Sequence, residues 1–166
     1  MKENQNYSKE IMKHFFKPKN VGEIKNPDAV GEVGNLVCGD IMRLYMKIKG
    51  GKIVDASFKT FGCIVAIANT SVLTTMIKGK TLNEALKITK EDMIKKLGKP
   101  LPQNKIHCSV LAVDALTEAI YDYYKKNKIS IPNNLQKKHE IIQKHKEEIE
   151  KKFKNYVDME KRNLGK

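Results

Sequence analysis

The sequence predicts an α+β domain in which a three-stranded antiparallel sheet is packed with helices, followed by a long C-terminal helical extension. Three observations predict this architecture. Three short runs with period-two features follow one another between Val30 and Thr60 and are separated by glycine turns. Apolar residues recur at helical spacing before and after these runs. Beyond Pro132 the composition changes to alternating Lys and Glu.

The N-terminal third contains a short helix and then the strands. Residues 7–16 place Ile11, Met12 and Phe15 on one side of a helix, which the segment KPKNVG ends. The three strand runs read VGEVGNLVC, IMRLYMKIKG and KIVDASFKTFG, with turns at Gly39-Asp40 and Gly50-Gly51. The second turn is a good two-residue hairpin signal, so we expect a meander.

The middle third predicts four helices. Residues 64–78 are apolar with small residues at helical spacing and end before Gly79, which indicates a buried helix. Two short helices follow, each begun by a threonine with an acidic residue three positions on, at Thr81 and Thr89. Residues 107–124 form an amphipathic helix that should pack on the sheet, with one face made of Val110, Val113, Leu116 or Thr117, Ile120 and Tyr124.

The chain is expected to divide into a domain at residues 1–130 and a basic helical extension at residues 131–166. The extension is thinly amphipathic because its apolar residues recur at three-to-four or sevenfold spacing, at Leu135, Ile142, Ile149, Phe153 and Tyr156. A helix of this kind either docks on the domain or pairs with a copy of itself, so a homo-oligomer stays possible on this pattern.

Composition narrows the classes of partner. The formal net charge is +13, which would attract an acidic partner, a phosphate polyanion or anionic lipid. Arginine occurs only at Arg43 and Arg162, so sequence-specific nucleic-acid reading is not favoured. No apolar run has the length of a signal peptide or a membrane span, and we therefore expect a soluble cytoplasmic protein. Three widely separated cysteines favour reduced thiols over a disulfide framework.

The chemistry is concentrated at three junctions between predicted elements: Cys38-Gly39-Asp40, Gly62-Cys63 and His107-Cys108-Ser109. Such positions can converge at one end of a small α+β domain. Two of the sulfurs would lie near helix N-termini, which favour the thiolate. Thiolates suit zinc and iron-sulfur irons, and Asp40 and His107 add harder ligands beside them. By contrast, surface or capping roles are expected for His14, His139 and His145.

An ordered set of residues resembles the iron-sulfur cluster assembly scaffolds of the IscU type, the domain that also begins NifU proteins. The resemblance covers about residues 7–127, and its motifs are Tyr7-Ser8, Pro18-Lys19-Asn20-Val21-Gly22, Gly34-Asn35, Cys38-Gly39-Asp40, Phe61-Gly62-Cys63, Ala66-Ile67-Ala68, Ser71, Leu101-Pro102, Lys105, His107-Cys108-Ser109, Leu111-Ala112 and Asp114-Ala115-Leu116. It implies the same sheet and helices, and a scaffold without turnover.

The resemblance also implies the partners, cofactors and roles of residues. A pyridoxal-phosphate cysteine desulfurase would pass persulfide sulfur to Cys108, and a [2Fe-2S] cluster would form and be transferred to recipient apo-proteins. Cys38, Cys63 and Cys108 would be thiolate ligands. Asp40 and His107 would be the exchangeable fourth ligand, with Asp40 favouring release and Lys105 able to pair with it. Zinc would occupy the cluster-free form through the same residues.

Three features of the sequence distinguish this chain within the family that it resembles. The segment LPQNK at residues 101–105 differs from the family's usual Leu-Pro-Pro-Val-Lys, which puts dependence on a dedicated Hsp70 chaperone in doubt. His107 before Cys108 argues against the related SufU branch. The extension has no cysteine, so it is not the ferredoxin-like part of longer NifU proteins.

Two other readings stay open. One is a zinc-binding sulfur acceptor that serves a cysteine desulfurase as a transfer partner. The other is a basic module whose extension contacts nucleic acid, membrane or an acidic protein.

Overall fold

The structure is a computed structural model that describes residues 7–35, 39–99 and 101–164, and for Asn35 and residues 155–164 it describes the backbone alone. In chain order the elements are α1 (Lys9–Phe16), β1 (Ala29–Asn35), β2 (Asp40–Lys49), β3 (Lys52–Phe61), α2 (Ile64–Ile77), α3 (Leu82–Ala85), α4 (Lys90–Leu97), a 3₁₀ turn (Gln103–Lys105), α5 (Ile106–Lys126) and α6 (Asn133–Leu164). The predicted α+β class, with its C-terminal helix, is confirmed.

The sheet is the predicted antiparallel meander, in the order β1-β2-β3. Gly50 and Gly51 have φ values of 58° and 72°, which is the left-handed geometry that a tight hairpin requires and that glycine adopts without strain. The outer edge of β3 is paired over a short stretch by the segment before the sheet, through a parallel bridge between Val21 and Phe58. The sequence pattern did not predict this bridge.

Helix α2 lies at the centre of the domain. It packs on the sheet and on α5, and it also contacts α1 and α4 on its other side. A helix covered on all sides has no polar face, and this explains why the predicted buried helix is apolar nearly all round. Its buried side chains include Val65, Ala66, Ala68, Val72, Leu73 and Ile77.

The short helices begin as predicted. Thr81 Oγ1 accepts a hydrogen bond from the Glu84 amide, and the Thr81 amide donates one to the Glu84 carboxylate; Thr89 and Asp92 do the same for α4. Each reciprocal pair satisfies backbone N–H groups that the first helical turn leaves free. Gly98 then ends α4 with a φ of 72°.

The predicted face of α5 is wrong in part, because Val110 is exposed at 37% while the buried face runs through Leu111, Ala112, Ala115, Leu116, Ala119 and Ile120. The reason is the close approach of α5 to β1. A Cβ added to Gly31 would lie 2.1 Å from the Ala115 carbonyl oxygen and 2.4 Å from the Ala119 nitrogen. Alanines permit this approach. A face predicted from large apolar residues leaves these alanines out.

The extension forms a single helix, α6, that docks on α5. Leu135 is fully buried and Ile142 packs against the core, whereas Phe153 is 51% exposed. The side chain of Tyr156 lies outside the described residues. His139 does not have the surface or capping role expected of it, because it is half-buried and its Nδ1 lies 2.9 Å from Glu118 Oε1. Within the described part of the chain, no helix has the length and apolar composition to cross a bilayer.

Candidate metal centre

Three predicted site residues meet at one end of the sheet. Cys63 Sγ lies 3.7 Å from Cys108 Sγ, and Asp40 Oδ2 lies 3.4 Å from the Cys108 sulfur and 3.8 Å from the Cys63 sulfur. One ligand atom of each residue therefore falls within 4.8 Å of the other two. These separations allow the three side chains to share one metal ion.

The register of the sheet explains how Asp40 reaches Cys63. Ile41 pairs with Phe61 across β2 and β3, so Asp40 at the start of β2 stands beside Gly62. A Cβ on Gly62 would lie 2.6 Å from Asp40 Oδ1, so glycine leaves the room that the carboxylate occupies. Asp40 Oδ1 then accepts a hydrogen bond of 3.1 Å from the Cys63 amide.

The two cysteines are placed by helix starts. Cys63 is the N-cap of α2, and Cys108 lies in the first turn of α5. A buried hydrogen bond of 3.0 Å from Ser109 Oγ to Asn69 Oδ1 joins the same two helices next to the sulfurs. Asn69 was not singled out in the sequence, although a fully buried amide in an otherwise apolar helix marks a position that needs a partner.

The sulfurs differ in their protonation. The pKa of Cys63 is lowered to about 6, chiefly because the Cys108 thiol donates a hydrogen bond to its thiolate, with help from the backbone N–H groups of Ala66 and Val65. The same shared proton, together with burial, raises the pKa of Cys108. Near neutral pH the pair therefore holds one proton, with the negative charge on the half-buried Cys63.

His107 and Lys105 lie beside this centre. His107 Nε2 is 3.6 Å from Cys108 Sγ, although His107 does not belong to the group of three that could hold one ion. The negative charge of Cys63 raises the pKa of Lys105. Within the described residues Lys105 forms no ion pair with Asp40 at 4.0 Å or less, so the predicted pairing stays a prediction.

Cys38 lies outside the described residues, so its place in the site stays a prediction. The described centre offers two soft sulfurs and one hard carboxylate, and an imidazole lies close by. Zinc and iron both accept this mixture of ligands.

Comparisons with known proteins show the family of the chain. Residues 6–130 match the family described as the NifU-like N-terminal domain. The iron-sulfur cluster assembly scaffold protein IscU 1 of Archaeoglobus fulgidus is 54% identical over 121 residues, which are 73% of this chain and 78% of that protein. The nitrogen fixation protein NifU of Trichormus azollae is 47% identical over 125 residues, which are 70% of this chain and 41% of that one.

Solved structures show the same fold. A candidate iron-sulfur cluster assembly scaffold of the SUF system from Fervidobacterium islandicum is 32% identical, with a TM-score of 0.58 over 71% of this chain and 98% of the other. A NifU-like N-terminal protein from Brucella abortus is similar in fold, with a TM-score of 0.59 at 23% identity over 74% of this chain and 97% of the other. The family match ends at residue 130, before α6 begins.

Proposed function

The chain belongs to the family of NifU-like N-terminal domains, and we propose that it is a scaffold on which a [2Fe-2S] cluster is assembled and then passed to recipient apo-proteins. The observation that carries this proposal is the meeting of Asp40, Cys63 and Cys108 within 3.8 Å of one another. The chain acts as a carrier and turns over no substrate. The domain comprises residues 1–130, with residues 131–166 as an extension.

We assign Cys38, Cys63 and Cys108 as the thiolate ligands. Asp40 and His107 provide the exchangeable fourth ligand, and Asp40 favours release because a carboxylate binds iron less covalently than a thiolate. Of the two described sulfurs, Cys63 is the one ready for a metal as a thiolate, since its pKa is lowered to about 6. Zinc occupies the same ligands in the cluster-free form, and Lys105 offsets part of their negative charge.

Sulfur arrives from a pyridoxal-phosphate cysteine desulfurase, and Cys108 is the acceptor. The Cys108 thiolate attacks the outer sulfur of the donor persulfide; a new S–S bond forms on Cys108, the donor S–S bond breaks, and the donor cysteine leaves as a thiolate. Cys108 must first lose its proton, and two bases lie close to its sulfur: the Cys63 thiolate at 3.7 Å and the Asp40 carboxylate at 3.4 Å. Since Cys108 is buried, the donor persulfide reaches its sulfur only when the site opens.

Anaerobic reconstitution with ferrous iron, cysteine and a desulfurase tests the scaffold. We expect the visible absorption of a [2Fe-2S] cluster, with two iron and two sulfide per chain. Cys38→Ala, Cys63→Ala and Cys108→Ala should each abolish it. His107→Ala removes a candidate fourth ligand and should weaken the absorption, and His14→Ala is its matched control because His14 bonds Ser71. A cluster that survives all three cysteine changes contradicts the proposal.

A transfer assay separates the scaffold from a zinc-binding sulfur acceptor. The scaffold hands its cluster to an apo-ferredoxin, whereas the sulfur acceptor passes on persulfide alone. The doubt about a dedicated Hsp70 chaperone, and the expected cytoplasmic location, stay predictions from the sequence.

A further inference from the structure

A buried amide and a buried hydroxyl link the two helices that carry the cysteines. Ser109 follows Cys108 in α5, and Asn69 lies on α2, whose N-cap is Cys63. Both Asn69 and Ser109 are fully buried, and Ser109 Oγ donates a hydrogen bond of 3.0 Å to Asn69 Oδ1. Within the residues that the structure describes, no other hydrogen bond between side-chain oxygen or nitrogen atoms joins α2 to α5. This bond therefore gives the helix pair a directional contact, which apolar packing does not provide.

The Asn69 amide is held at both ends. Its Nδ2 donates a hydrogen bond of 3.0 Å to the Val65 carbonyl oxygen, which can only accept. Its Oδ1 must therefore face Ser109, so the hydroxyl is the donor. Val65 lies in the first turn of α2, and its N–H helps to stabilise the Cys63 thiolate. The link thus runs from the residue beside Cys108 to the helical turn that holds the Cys63 sulfur.

The start of α5 has no side-chain cap among the described residues. Its N-cap is Lys105, whose side chain makes no capping hydrogen bond and has no acceptor to offer. The first turn of such a helix frays more readily than a turn capped as Thr89 caps α4. Cys108 lies in this uncapped turn, so the bond from the next residue to Asn69 ties the turn to α2.

The spacing of the sulfurs suits a metal ion. In a tetrahedral site with each sulfur about 2.3 Å from zinc, two thiolates lie about 3.8 Å apart and a carboxylate oxygen lies about 3.6 Å from each sulfur. The Cys63 and Cys108 sulfurs are 3.7 Å apart, and Asp40 Oδ2 is 3.8 Å and 3.4 Å from them. The fold therefore sets these distances to the values that one tetrahedral ion requires.

We propose that Asn69 and Ser109 are positioning residues, whose hydrogen bond keeps the Cys63 and Cys108 sulfurs at the separation that one tetrahedral metal ion requires. Without this bond, part of the binding free energy of the ion would be spent on bringing the two helices into place, and affinity would fall. Each residue acts through the helical turn that carries a cysteine. The use of this spacing in cluster assembly rests on the proposed function, whereas the spacing itself is tested with cobalt alone.

The test measures cobalt binding by the cluster-free, full-length chain, read from the thiolate absorption. Ser109→Ala, Asn69→Ala and the double variant form a double-mutant cycle. Thr117→Val is the matched control for Ser109→Ala, because it removes a buried hydroxyl of α5 that bonds the Val113 carbonyl oxygen of its own helix at 3.0 Å. Urea unfolding of each variant measures its stability separately.

We expect each single variant to lower cobalt affinity about tenfold, the lower end of the loss that follows when the support of a metal ligand is removed. The double variant should match Asn69→Ala, because that change already removes the acceptor of the Ser109 hydroxyl. Thr117→Val should keep the wild-type affinity.

Wild-type affinity in Ser109→Ala, even with a lower urea midpoint, would show a merely structural bond and overturn the inference. An equal loss in Thr117→Val, or a double variant whose loss is the product of both single losses, would also overturn it. If Asn69→Ala does not fold, Ser109→Ala and Thr117→Val still decide. Because this assay needs no iron, sulfide or desulfurase, a chain that behaves as expected with cobalt and assembles no cluster would refute the proposed function alone.

Discussion

Asp114 shows how a single partly buried carboxyl can set the pH response of the fold. It lies on α5 and lines a groove beneath α6. Burial, and then the negative charge of Glu118, raises its pKa to about 6 from an ordinary value of 3.8. Within the described residues it receives no hydrogen bond, so little offsets the cost of its charge.

The raised pKa predicts a stability gain for Asp114→Asn at neutral pH. The pKa of Asp114 is higher in the folded protein than in the unfolded chain. The protonated carboxyl therefore contributes stability that is fully present below about pH 4 and is lost as pH rises through 6. Above pH 6 the charged carboxylate costs up to about 3 kcal/mol, which the neutral amide avoids. Urea unfolding at pH 7.5 should therefore favour Asp114→Asn, and at pH 4 the difference should nearly vanish. A difference independent of pH, or the same gain from exposed Glu147→Gln, would contradict this account.

Gly62 determines whether the Asp40 carboxylate can stay in the centre. In Gly62→Ala the new Cβ would lie 2.6 Å from Asp40 Oδ1, and the carboxylate must move. It would then lose its hydrogen bond from the Cys63 amide and its place beside both sulfurs. We expect affinity for cobalt, read from its thiolate absorption, to fall at least about tenfold, as it does when the support of a metal ligand is lost. Asp40→Ala should behave in the same way, and unchanged affinity in Gly62→Ala would refute the argument.

At the scale of elements, the contact between β1 and α5 has no spare room at Gly31. Gly31→Ala places a Cβ against helix backbone at 2.1 Å and 2.4 Å, and backbone cannot rotate away as a side chain can. The strand and helix must separate, which should cost about 3 kcal/mol of unfolding free energy.

The same strand supplies the control for this prediction. A Cβ on Gly34 would meet its nearest atoms at 3.7 Å, an ordinary contact, so Gly34→Ala should change stability little. Urea unfolding of both variants measures the difference, and equal stabilities would show that β1 and α5 are not packed as described.

At the scale of the whole molecule, α6 should behave as part of the folded body although the family match ends before it. Its 32 residues span about 48 Å, and Leu135 and Glu118 hold its first half. Glu118→Ala removes the acceptor of the hydrogen bonds from His139 and Gln143, whereas Glu147→Ala changes an exposed acid on α6 itself.

We expect amide hydrogen exchange in residues 133–149 to quicken in Glu118→Ala, because a helix without its docking contacts opens more often. Exchange in the sheet and α2 should stay as in the wild type, and Glu147→Ala should show no change. Quickened exchange throughout the domain would instead mean that Glu118 supports the core.

The sequence by itself determined the main elements and indicated candidate site residues, of which Asp40, Cys63 and Cys108 lie together in the structure. Glycine turns, threonine caps and hydrophobic periods act within a few residues, so the meander, both capping boxes and the buried α2 could be read locally. The ordered motifs around Asp40, Cys63 and Cys108 indicated the family. Only the tertiary structure decided which face of α5 is buried, how close the sulfurs and carboxylate lie, and where α6 docks.

The physical reason is that these features depend on contacts between residues distant in the chain. The backbone clearance at Gly31 selects the alanine face of α5, and the hydrogen bond between the Cys63 and Cys108 sulfurs, 45 residues apart, decides which sulfur carries the charge. Glu118 likewise gives His139 its buried partner across 21 residues. Helix and strand propensities depend on residues that are close in sequence, so they cannot predict any of these contacts.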